Sequence, residues 1–393
     1  MNYRFSIARL PRIVFGGGVF KQLPDLVSRN SHCVLVVVGA RSFTQTPQWQ
    51  WLQRQFTESR IGWDLCRVTD EPSPEQIDTI VKTYRNEGIG VVLGIGGGSV
   101  MDAAKAIAGL LMVDNSVMDF LEGVGRGLEY QGPSVPFIAV PTTAGTGSEA
   151  TQNAVLSVRG EGGFKKSFRH ERLVAHYAVV DPDLMADCPP SLIAANGMDA
   201  LTQLIESYVS TRAGAFTDGL VEGGLRAVRG GLLAWYEEGG PAAREKMAFA
   251  ALVSGIALAQ TGLGSVHGLA SPLGGFFPIP HGVVCGTLLA PATRVNIEAM
   301  INREPDNRGL EKYAGVAELL CNRRWEDRQQ AREALVELLQ DWMQRLKLPR
   351  LADYGISEHD LPRVAAHSRG GSMKTNPIIL SDDELVGIMR QRL

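Results

Sequence analysis

Residues 90–111 read GVVLGIGGGSVMDAAKAIAGLL, and this stretch decides the fold. Its first part, Gly90–Ile95, is apolar and typical of a buried strand, whereas Ser99–Leu111 has the length and pattern of a helix. Three glycines, Gly96–Gly98, separate the two. A glycine loop at such a junction exposes backbone N–H groups at the positive end of a helix, with no Cβ to keep a phosphate at a distance. The stretch therefore predicts a phosphate-binding turn, or else only a tight connection between a strand and a helix.

The same alternation of strand and helix runs through the N-terminal part of the chain. Further strands are predicted at Val34–Val38, Pro136–Val140 and Ala178–Val180, and a further helix is predicted at Pro74–Asn86. Strands that alternate with helices imply a parallel sheet whose connections are helical crossovers. The N-terminal part is therefore predicted to be an α/β domain.

Beyond about Pro189 the strand pattern ends and long helical patterns follow. The predicted helices are Met198–Thr211, Asp218–Glu238, Ala242–Ala259 and Ala331–Lys347. We therefore expect two domains, an α/β domain over residues 1–185 and an all-helical domain over residues 186–393.

Composition narrows the class of protein. The 393 residues are 45% hydrophobic and 21% charged, with a formal net charge of −3, which is ordinary for a globular protein and excludes a strongly basic nucleic-acid surface. The five cysteines include no CxxC pair, which argues against a thiolate zinc site and against a disulfide framework. The longest apolar stretch, Ala248–Ala259, is too short to span a bilayer. We expect a cytoplasmic protein with no nucleic-acid or membrane partner.

A second glycine-containing loop, Pro141–Glu149, follows the strand that ends at Val140 and reads PTTAGTGSE. Its four hydroxyls and two glycines make it a surface of donors for a phosphate or a ribose, although Thr146 or Ser148 could instead cap a helix. Two such loops at the carboxyl ends of strands in one sheet favour a nucleotide-binding crevice. A third cluster, Gly16–Gly18, is typical of a turn between a strand and a helix.

Metal-binding side chains occur in the helical part. His267 and His281 lie in one stretch rich in Gly and Pro, and Asp199 and Gln203 are four residues apart and so share one helix face. One Asp, two His and a fourth oxygen donor can hold a divalent transition metal. The alternative is that each histidine is only a hydrogen-bonded residue of the core.

In combination these motifs resemble the iron-containing, or group III, alcohol dehydrogenases. The elements that carry the resemblance are, in chain order, Gly96–Ser99 with Asp102 and Lys105, Pro141–Glu149, Val180–Leu184, Gly197–Leu201, Gly262–His267, Pro280–Gly282 and Thr375–Pro377. The resemblance runs from Phe15 to the end of the chain. It implies an N-terminal α/β dinucleotide-binding domain and an all-helical C-terminal domain, an architecture shared with dehydroquinate synthase, with the active site in the cleft between them.

The resemblance also implies roles for individual residues. The positions that match cofactor-binding positions of the family are Gly97, Gly98, Ser99, Asp102, Thr142, Thr143, Ser148 and Lys165. The family's metal is held by one Asp and three His, and Asp199, His267 and His281 match three of these. Gln203 replaces the third histidine, so we expect its amide oxygen to be the fourth donor. Ser271 replaces a histidine near the nicotinamide, so proton delivery is expected to use Ser271, a ribose hydroxyl or water.

These matches imply an NAD(P)-dependent oxidoreductase that interconverts an alcohol and an aldehyde or ketone by hydride transfer. The implied metal is Fe²⁺ or Zn²⁺, which would act as a Lewis acid on the substrate oxygen. NADP(H) is favoured over NAD(H), because Gly39 follows the first predicted strand where an Asp would repel a 2′-phosphate, and because Arg41 could contact that phosphate. Arg41 could equally be a solvated loop residue.

Other interpretations remain open from the sequence. They are a metal-independent reductase of the maleylacetate reductase type, a dehydroquinate-synthase-like lyase, and a protein that binds the cofactor without turnover. Phe276, Phe277 and Ile279 suit either a partly apolar substrate pocket or the core, and Cys285 is expected to be a small buried apolar residue. Because members of the family are commonly dimers or larger, we expect a homo-oligomer that acts on a small molecule.

Overall fold

The computed structural model describes residues 5–160 and 162–393. Its strands are β1 (Arg12–Phe15), β2 (Cys33–Val38), β3 (Gly62–Arg67), β4 (Val91–Gly96), β5 (Phe137–Pro141), β6 (Asn153–Val158), β7 (Phe164–Arg169) and β8 (Tyr177–Val180). Six of them form a parallel sheet in the order β1-β8-β5-β4-β2-β3, and β6 and β7 form a separate antiparallel hairpin.

The central strands of the sheet are buried on both faces. Along β2, Val34, Val36 and Val38 belong to one core cluster, whereas the alternate residues Leu35 and Val37 belong to another. Successive side chains of a strand point to opposite faces, so the two clusters lie on the two sides of the sheet. Burial on both sides explains the continuous apolar run, which is typical of parallel sheets covered by helices.

The helices of this first half connect the parallel strands. They are α1 (Leu23–Ser28), α2 (Pro47–Glu58), α3 (Pro74–Tyr84) and α4 (Gly98–Leu110). Helix α4 packs closely on β4, because a Cβ at Gly94 would lie 2.8 Å from the Cβ of Ala104. The glycine inside the strand therefore sets the depth at which α4 lies against the sheet.

The second half contains no strand within the part of the chain that the structure describes. Its helices are α5 (Pro190–Val209), α6 (Ala215–Glu237), α7 (Pro241–Thr261), α8 (Ser265–Phe276), α9 (His281–Arg303), α10 (Arg308–Cys321), α11 (Arg328–Arg345), α12 (Leu361–His367) and α13 (Asp382–Arg390). They share one large apolar core, which also takes in Val180 and Met185 at the end of the first half. Helix α5 runs through this core and buries polar side chains as well as apolar ones.

The predicted fold class, an α/β domain followed by a helical domain, is confirmed. The four predicted strands match β2, β4, β5 and β8 to within one residue at each end, and the strand prediction correctly stops after β8. The predictions missed β1, β3, β6 and β7, and they began α5 at Met198 instead of Pro190. The exact domain boundary at residue 185 stays a prediction.

The helices of the described ranges were compared with the length and apolar character that crossing a bilayer requires. No single helix there is both long and apolar enough to cross a bilayer, and the one combination that passes, α7 with α8, is bent by 100° at its break. The apolar stretch Ala248–Ala259 lies within α7, whose side chains pack into the helical core.

Candidate active site

The two glycine-containing loops meet at the carboxyl edge of the sheet. Gly96 at the end of β4 pairs with Pro141 at the end of β5, and the backbone N–H of Thr142 donates to the carbonyl of Gly96 at 2.9 Å. A Cβ at Gly98 would lie 2.8 Å from Cγ2 of Thr146 in the second loop. The N-terminus of α4 therefore opens beside the second loop, in the arrangement that binds phosphates at the ends of parallel strands.

The predicted cofactor residues lie close together at this edge. Six of them are half-buried: Gly97, Gly98, Ser99, Asp102, Thr142 and Thr143. The hydroxyl of Ser148, which is buried, donates to Asp102 Oδ1 at 2.7 Å, and burial of its carboxyl raises the pKa of Asp102. The structure thus brings the predicted residues together, with Asp102 and Ser148 bonded to each other.

A buried lysine holds the second loop against α4. Lys105 has no exposed surface, and its ammonium donates to the carbonyl and hydroxyl of Ser148, the hydroxyl of Thr151 and the carbonyl of Asn153. Burial lowers the pKa of Lys105 to about 8, and the nearby carboxylates of Asp102 and Glu149 oppose this shift. These bonds tie Ser148, near the end of the loop, and the residues just beyond it to α4.

The second loop also touches the helical half at close range. A Cβ at Gly145 would lie 2.7 Å from the Cβ of Asn196 on α5. Gly147 has φ +61°, and a Cβ there would lie 2.5 Å from Cα of Gly255 on α7. Because Asn196 precedes Asp199 by less than one helical turn, the loop lies next to the metal-ligand candidates.

Four metal-ligating side chains converge in the helical half. Asp199, His267, His281 and Cys285 offer ligand atoms that all lie within 4.8 Å of one another. His267 Nε2 lies 3.3 Å from Asp199 Oδ1, and His281 Nε2 lies 3.8 Å from the same oxygen. The other carboxylate oxygen, Asp199 Oδ2, is buried without a hydrogen-bond partner among the described residues. A buried carboxylate oxygen that lacks a donor is costly, and a cation beside it would satisfy it.

Two of the predicted ligands, Asp199 and His281, have the protonation that suits a cation, whereas His267 would have to lose a proton when a metal binds. Burial would raise the pKa of Asp199, but His281 and His267 more than offset this, so that it lies below its usual value. Burial lowers the pKa of His281 to about 4, which leaves its imidazole neutral near pH 7. Burial would also lower the pKa of His267, but Cys285 and Glu206 raise it well above the ordinary value. An ionised carboxylate and a neutral imidazole are the forms that bind metals.

Glu206 orients one of the histidines. Its Oε2 lies 2.6 Å from His267 Nδ1, and its Oε1 accepts from the backbone N–H of Val266 at 2.7 Å. Both bonds lie at the N-terminus of α8, so Glu206 caps that helix and holds the His267 ring with Nε2 directed at Asp199. A carboxylate that bonds the far nitrogen of a histidine is the usual support of a metal ligand.

The amide of Gln203 does not present its oxygen to the cluster. Gln203 Nε2 donates to Asp199 Oδ1 at 3.2 Å, while Oε1 accepts from the hydroxyl of Ser254 at 2.6 Å. The opposite amide orientation would place its oxygen against the Asp199 carboxylate, which is repulsive. In this orientation Ser254 engages the amide oxygen of Gln203 on the side away from the cluster, and the expectation that this oxygen is the fourth donor stays a prediction.

The hairpin β6–β7 brings Lys165 to the cleft. Lys165 Nζ forms a 2.5 Å ion pair with Glu71, and the Ser271 hydroxyl donates to the carbonyl of Lys165 at 3.0 Å. The Lys165 charge lies near enough to the cluster to help lower the pKa of His281. Lys165 and Ser271 are thus neighbours between the glycine loops and the metal-ligand candidates, and the hydroxyl hydrogen of Ser271 is engaged by a backbone carbonyl.

At the other end of the crevice, Gly39 follows β2 and is half-buried, whereas Arg41 is exposed. Arg67, at the end of the neighbouring strand β3, donates to the carbonyl of Ala40 at 2.7 Å and to the hydroxyl of Thr44. Two guanidinium groups therefore belong to this corner of the sheet. Sequence analysis named Arg41 and missed Arg67, which could have been found only once β3 was known to lie beside β2.

Sequence reasoning also missed three groups at the site. Cys285 was expected to be apolar, but its Sγ lies between two histidines; its spacing of four from His281 was the available signal. Glu206 shares a helix face with Asp199 and Gln203, which was likewise readable. Glu71 forms an ion pair with Lys165, and no local sequence signal indicates this because the two residues meet only in the folded protein. Of the three possible pocket residues, Ile279 is buried, while Phe276 and Phe277 are partly exposed.

Two glycine-containing loops at the carboxyl edge of a parallel sheet, beside a cluster of side chains that could hold a metal, are the arrangement expected of a metal-assisted, nicotinamide-dependent oxidoreductase. Two family models match the chain: "iron-containing alcohol dehydrogenase" over residues 11–182, and the C-terminal domain of that family over residues 193–393. The chain therefore belongs to the iron-containing alcohol dehydrogenase family.

Individual relatives support this membership. Lactaldehyde reductase of Escherichia coli K12 is 32% identical over 89% of each chain, and alcohol dehydrogenase 4 of Saccharomyces cerevisiae is 29% identical over 97% of this chain and 96% of its own. Among solved structures, an archaeal halo-thermophilic alcohol dehydrogenase from a Red Sea brine pool has a TM-score of 0.91 at 26% identity, covering 100% of this chain and 99% of its own.

These matches confirm the predicted family and class of enzyme, an alcohol dehydrogenase or aldehyde reductase. The family implies a nicotinamide cofactor and a divalent metal. The comparisons do not favour a maleylacetate-reductase-type enzyme or a dehydroquinate-synthase-like lyase.

Proposed function

We propose that this protein interconverts a small alcohol and its aldehyde or ketone by hydride transfer with NADP(H), in the cleft between residues 1–185 and residues 186–393. The observation that carries this proposal is the contact of Gly145 with Asn196, which brings a phosphate-binding loop beside Asp199. The nicotinamide cofactor carries the hydride, while the protein orients it against the substrate and excludes water.

The metal would be held by Asp199, His267 and His281. Their donor atoms fit a divalent cation such as Fe²⁺ or Zn²⁺, because the buried Oδ2 of Asp199 lacks a hydrogen bond and His281 is neutral near pH 7. When bound, the cation supplies Lewis acidity that stabilises negative charge on the substrate oxygen. Glu206 fixes the His267 ring so that its donor atom needs no reorientation.

The remaining residues of the cleft handle the cofactor and the proton. Gly97, Gly98 and Ser99 would face the pyrophosphate, and Thr142 and Thr143 would face the ribose and the nicotinamide side. Lys165, held by Glu71, would contact the cofactor from the opposite wall. Since Ser271 donates to a carbonyl, its hydroxyl can pass a proton only after that bond is exchanged. The pH–rate profile should therefore show no limb that depends on residue 271.

The preference for NADP(H) rests on Gly39 and two arginines. No carboxylate follows β2 at residue 39, and Arg41 and Arg67 belong to the ends of adjacent strands. A guanidinium that binds a phosphate contributes about 1.5–3 kcal/mol, so Arg41→Gln or Arg67→Gln should lower kcat/KM for NADPH by roughly 10-fold or more. The value for NADH should stay unchanged, and Arg54→Gln, an exposed arginine on α2, is the control. A wild-type enzyme that uses NADH as well as NADPH would contradict this preference.

We further propose that the protein works in the cytoplasm as a homo-oligomer. All five cysteines are free, which suits a reducing compartment. Strand β1 is the edge of the sheet, and Ile13 on it and Phe5 and Ile7 before it are exposed apolar residues that a second copy would cover. Light scattering on the purified protein measures this; a monomer at micromolar concentration would contradict the oligomer.

The central test is NADPH-linked reduction of a panel of short aldehydes by purified protein, before and after removal of metal by a chelator. We expect turnover that chelation abolishes and that added Fe²⁺ or Zn²⁺ restores. Turnover that resists complete metal removal would instead favour the metal-independent alternative. NADPH binding with no turnover on any aldehyde would refute the proposed activity.

A further inference from the structure

Helix α9 places a cysteine thiol inside the metal-ligand cluster. The helix begins at His281, and Cys285 lies one turn later on the same face. The Cys285 side chain is fully buried, with Sγ 3.6 Å from His267 Nε2 and 3.7 Å from His281 Nε2. It therefore points at the same centre as the two imidazoles.

Four of the separations within this cluster are close to those of ligands around one ion. In a tetrahedral zinc site, two N or O ligands lie ~3.3 Å apart, and one of them lies ~3.6 Å from a thiolate sulfur, given the usual metal–ligand bond lengths. Here the nitrogen–oxygen separations are 3.3 and 3.8 Å, and the nitrogen–sulfur separations are 3.6 and 3.7 Å. A cation at the centre would reach all four side chains with little movement.

With its amide in the orientation described, Gln203 leaves the fourth donor position open to another residue. Its amide nitrogen, which cannot ligate, is the atom directed at Asp199, and Ser254 engages its oxygen. If the sulfur of Cys285 takes the place of the amide oxygen of Gln203, the number of protein donors remains four. Cys285 is the only further His, Cys, Asp or Glu that shares the centre within the described residues.

We propose that Cys285 is the fourth protein ligand of the divalent metal and binds it as a thiolate beside Asp199, His267 and His281. This inference rests on the metal-dependent form of the proposed function. On binding, the thiol proton is released to solvent, one sulfur–metal bond forms, and no electron is transferred. A thiolate and a carboxylate together neutralise a divalent ion, and the softer sulfur donor selects Zn²⁺ over Fe²⁺.

Cobalt provides the direct test, because Co²⁺ bound by a thiolate shows a sulfur-to-metal charge-transfer band in the near ultraviolet. The protein is stripped with a chelator and titrated with Co²⁺ alone. We expect one equivalent to bind with that band, and Zn²⁺ to displace it while Fe²⁺ does not at equal concentration. These readouts on the unmodified protein do not depend on any variant folding.

Variants then assign the band to one residue. Cys285→Ser should lose the band and weaken Co²⁺ binding by more than the ~10–100-fold that loss of an outer partner costs. Cys321→Ser, at the end of α10, should keep both. Adding Gln203→His to Cys285→Ser should recover tight binding without the band, since the new imidazole restores a fourth donor.

The outcomes separate this inference from the proposed function. If the wild type binds one Co²⁺ without the band and still reduces aldehydes, Cys285 is not a ligand and the proposed function stands. If Cys285→Ser binds Co²⁺ as tightly as the wild type, the inference is likewise overturned. If the stripped wild type binds no Co²⁺ yet keeps full NADPH-linked turnover, both the thiolate ligand and the metal-dependent mechanism are overturned.

Discussion

The glycine loops at the sheet edge and the ligand cluster of the helical half would recognise their proposed partners, a cofactor and a metal, in different ways. The loops would bind through backbone N–H groups, and Gly97 and Gly98 expose these groups because glycine has no Cβ. The cluster uses side-chain donor atoms, which can come from any residue that reaches the centre. This difference is compatible with a cluster in which the amide of Gln203 and the thiol of Cys285 lie beside the predicted ligands. Recognition by backbone N–H groups requires glycine at particular positions of the sequence. Recognition by side-chain donor atoms requires only that some suitable side chain reaches the centre of the cluster.

The largest effect is expected from removing the carboxylate of the cluster. Asp199→Asn leaves the side chain in place but removes the charge that binds a cation, so metal content should fall to near zero. Loss of several kcal/mol of Lewis-acid stabilisation corresponds to a drop in kcat/KM of roughly 10³-fold. Metal analysis and NADPH-linked kinetics measure both, with the exposed Asp114→Asn as control. An Asp199→Asn protein that keeps its metal would show that the cluster is not the metal site.

A smaller effect on metal binding is expected from Glu206, which orients the ligand candidate His267 but is not itself a predicted ligand. Glu206→Gln keeps the bond to Val266 but weakens the hold on His267, so metal affinity should fall by ~10–100-fold. Competition with a chromophoric chelator measures the affinity, and Glu222→Gln on α6 serves as the control. Unchanged affinity would mean that Glu206 supports α8 and not the metal ligand.

The role of the glycine loops in cofactor binding is tested at Gly98. Gly98→Ala places a Cβ 2.8 Å from Cγ2 of Thr146, and overpacking of this kind costs about 1–3 kcal/mol. The dissociation constant for NADPH should therefore rise by roughly 10-fold while metal content stays the same. Gly219→Ala, where a Cβ would meet nothing within 4 Å, should change neither. A parallel loss of metal would break the proposed independence of the two regions.

The smallest effect on activity is expected at Glu149 in the second loop, which acts on stability and its dependence on pH. Burial raises the pKa of Glu149 from 4.5 to about 7. The folded protein then binds more protons than the unfolded chain between these values, so this residue's contribution to stability is complete below pH 4.5 and is lost as the pH rises to 7. Glu149→Gln should flatten that fall, by at most about 3 kcal/mol. Urea unfolding at several pH values measures it, and an equally steep fall in the variant would assign the slope to other groups.

The sequence predicted the fold where burial imposes a strong pattern. Buried on both faces, β2 and β4 are apolar throughout, and their bounds were predicted to within one residue. Strand β3, at one edge of the sheet, alternates exposed residues with half-buried or buried ones, and the hairpin β6–β7 lies outside the sheet, so neither carries that pattern. The predicted start of helix α5 was too late in the chain, because its first turn contains Pro190 and Ser191, which are typical of a loop.

The site was predictable only as far as each residue belongs to a contiguous motif. Asp199, His267 and His281 were found from their local sequence and do converge. Arg67 and Glu71 were not, because their roles depend on strands and loops that meet only in the folded protein. Gln203 and Cys285 show a further limit: sequence gives the type of side chain, but which amide atom or which neighbour faces the centre is decided by packing around Ser254 and α9.

The contact of Gly147 with Gly255 carries an evolutionary consequence. Each glycine leaves no room for a Cβ on the other, since the one at Gly147 would lie 2.5 Å from Cα of Gly255, and the one at Gly255 would lie 2.1 Å from the carbonyl oxygen of Gly147. A first substitution at either position cannot be rescued by a second at the other, so the pair is locked by epistasis. A larger residue at either position would push the second loop away from α7 and so change the spacing between the glycine loops and the ligand cluster.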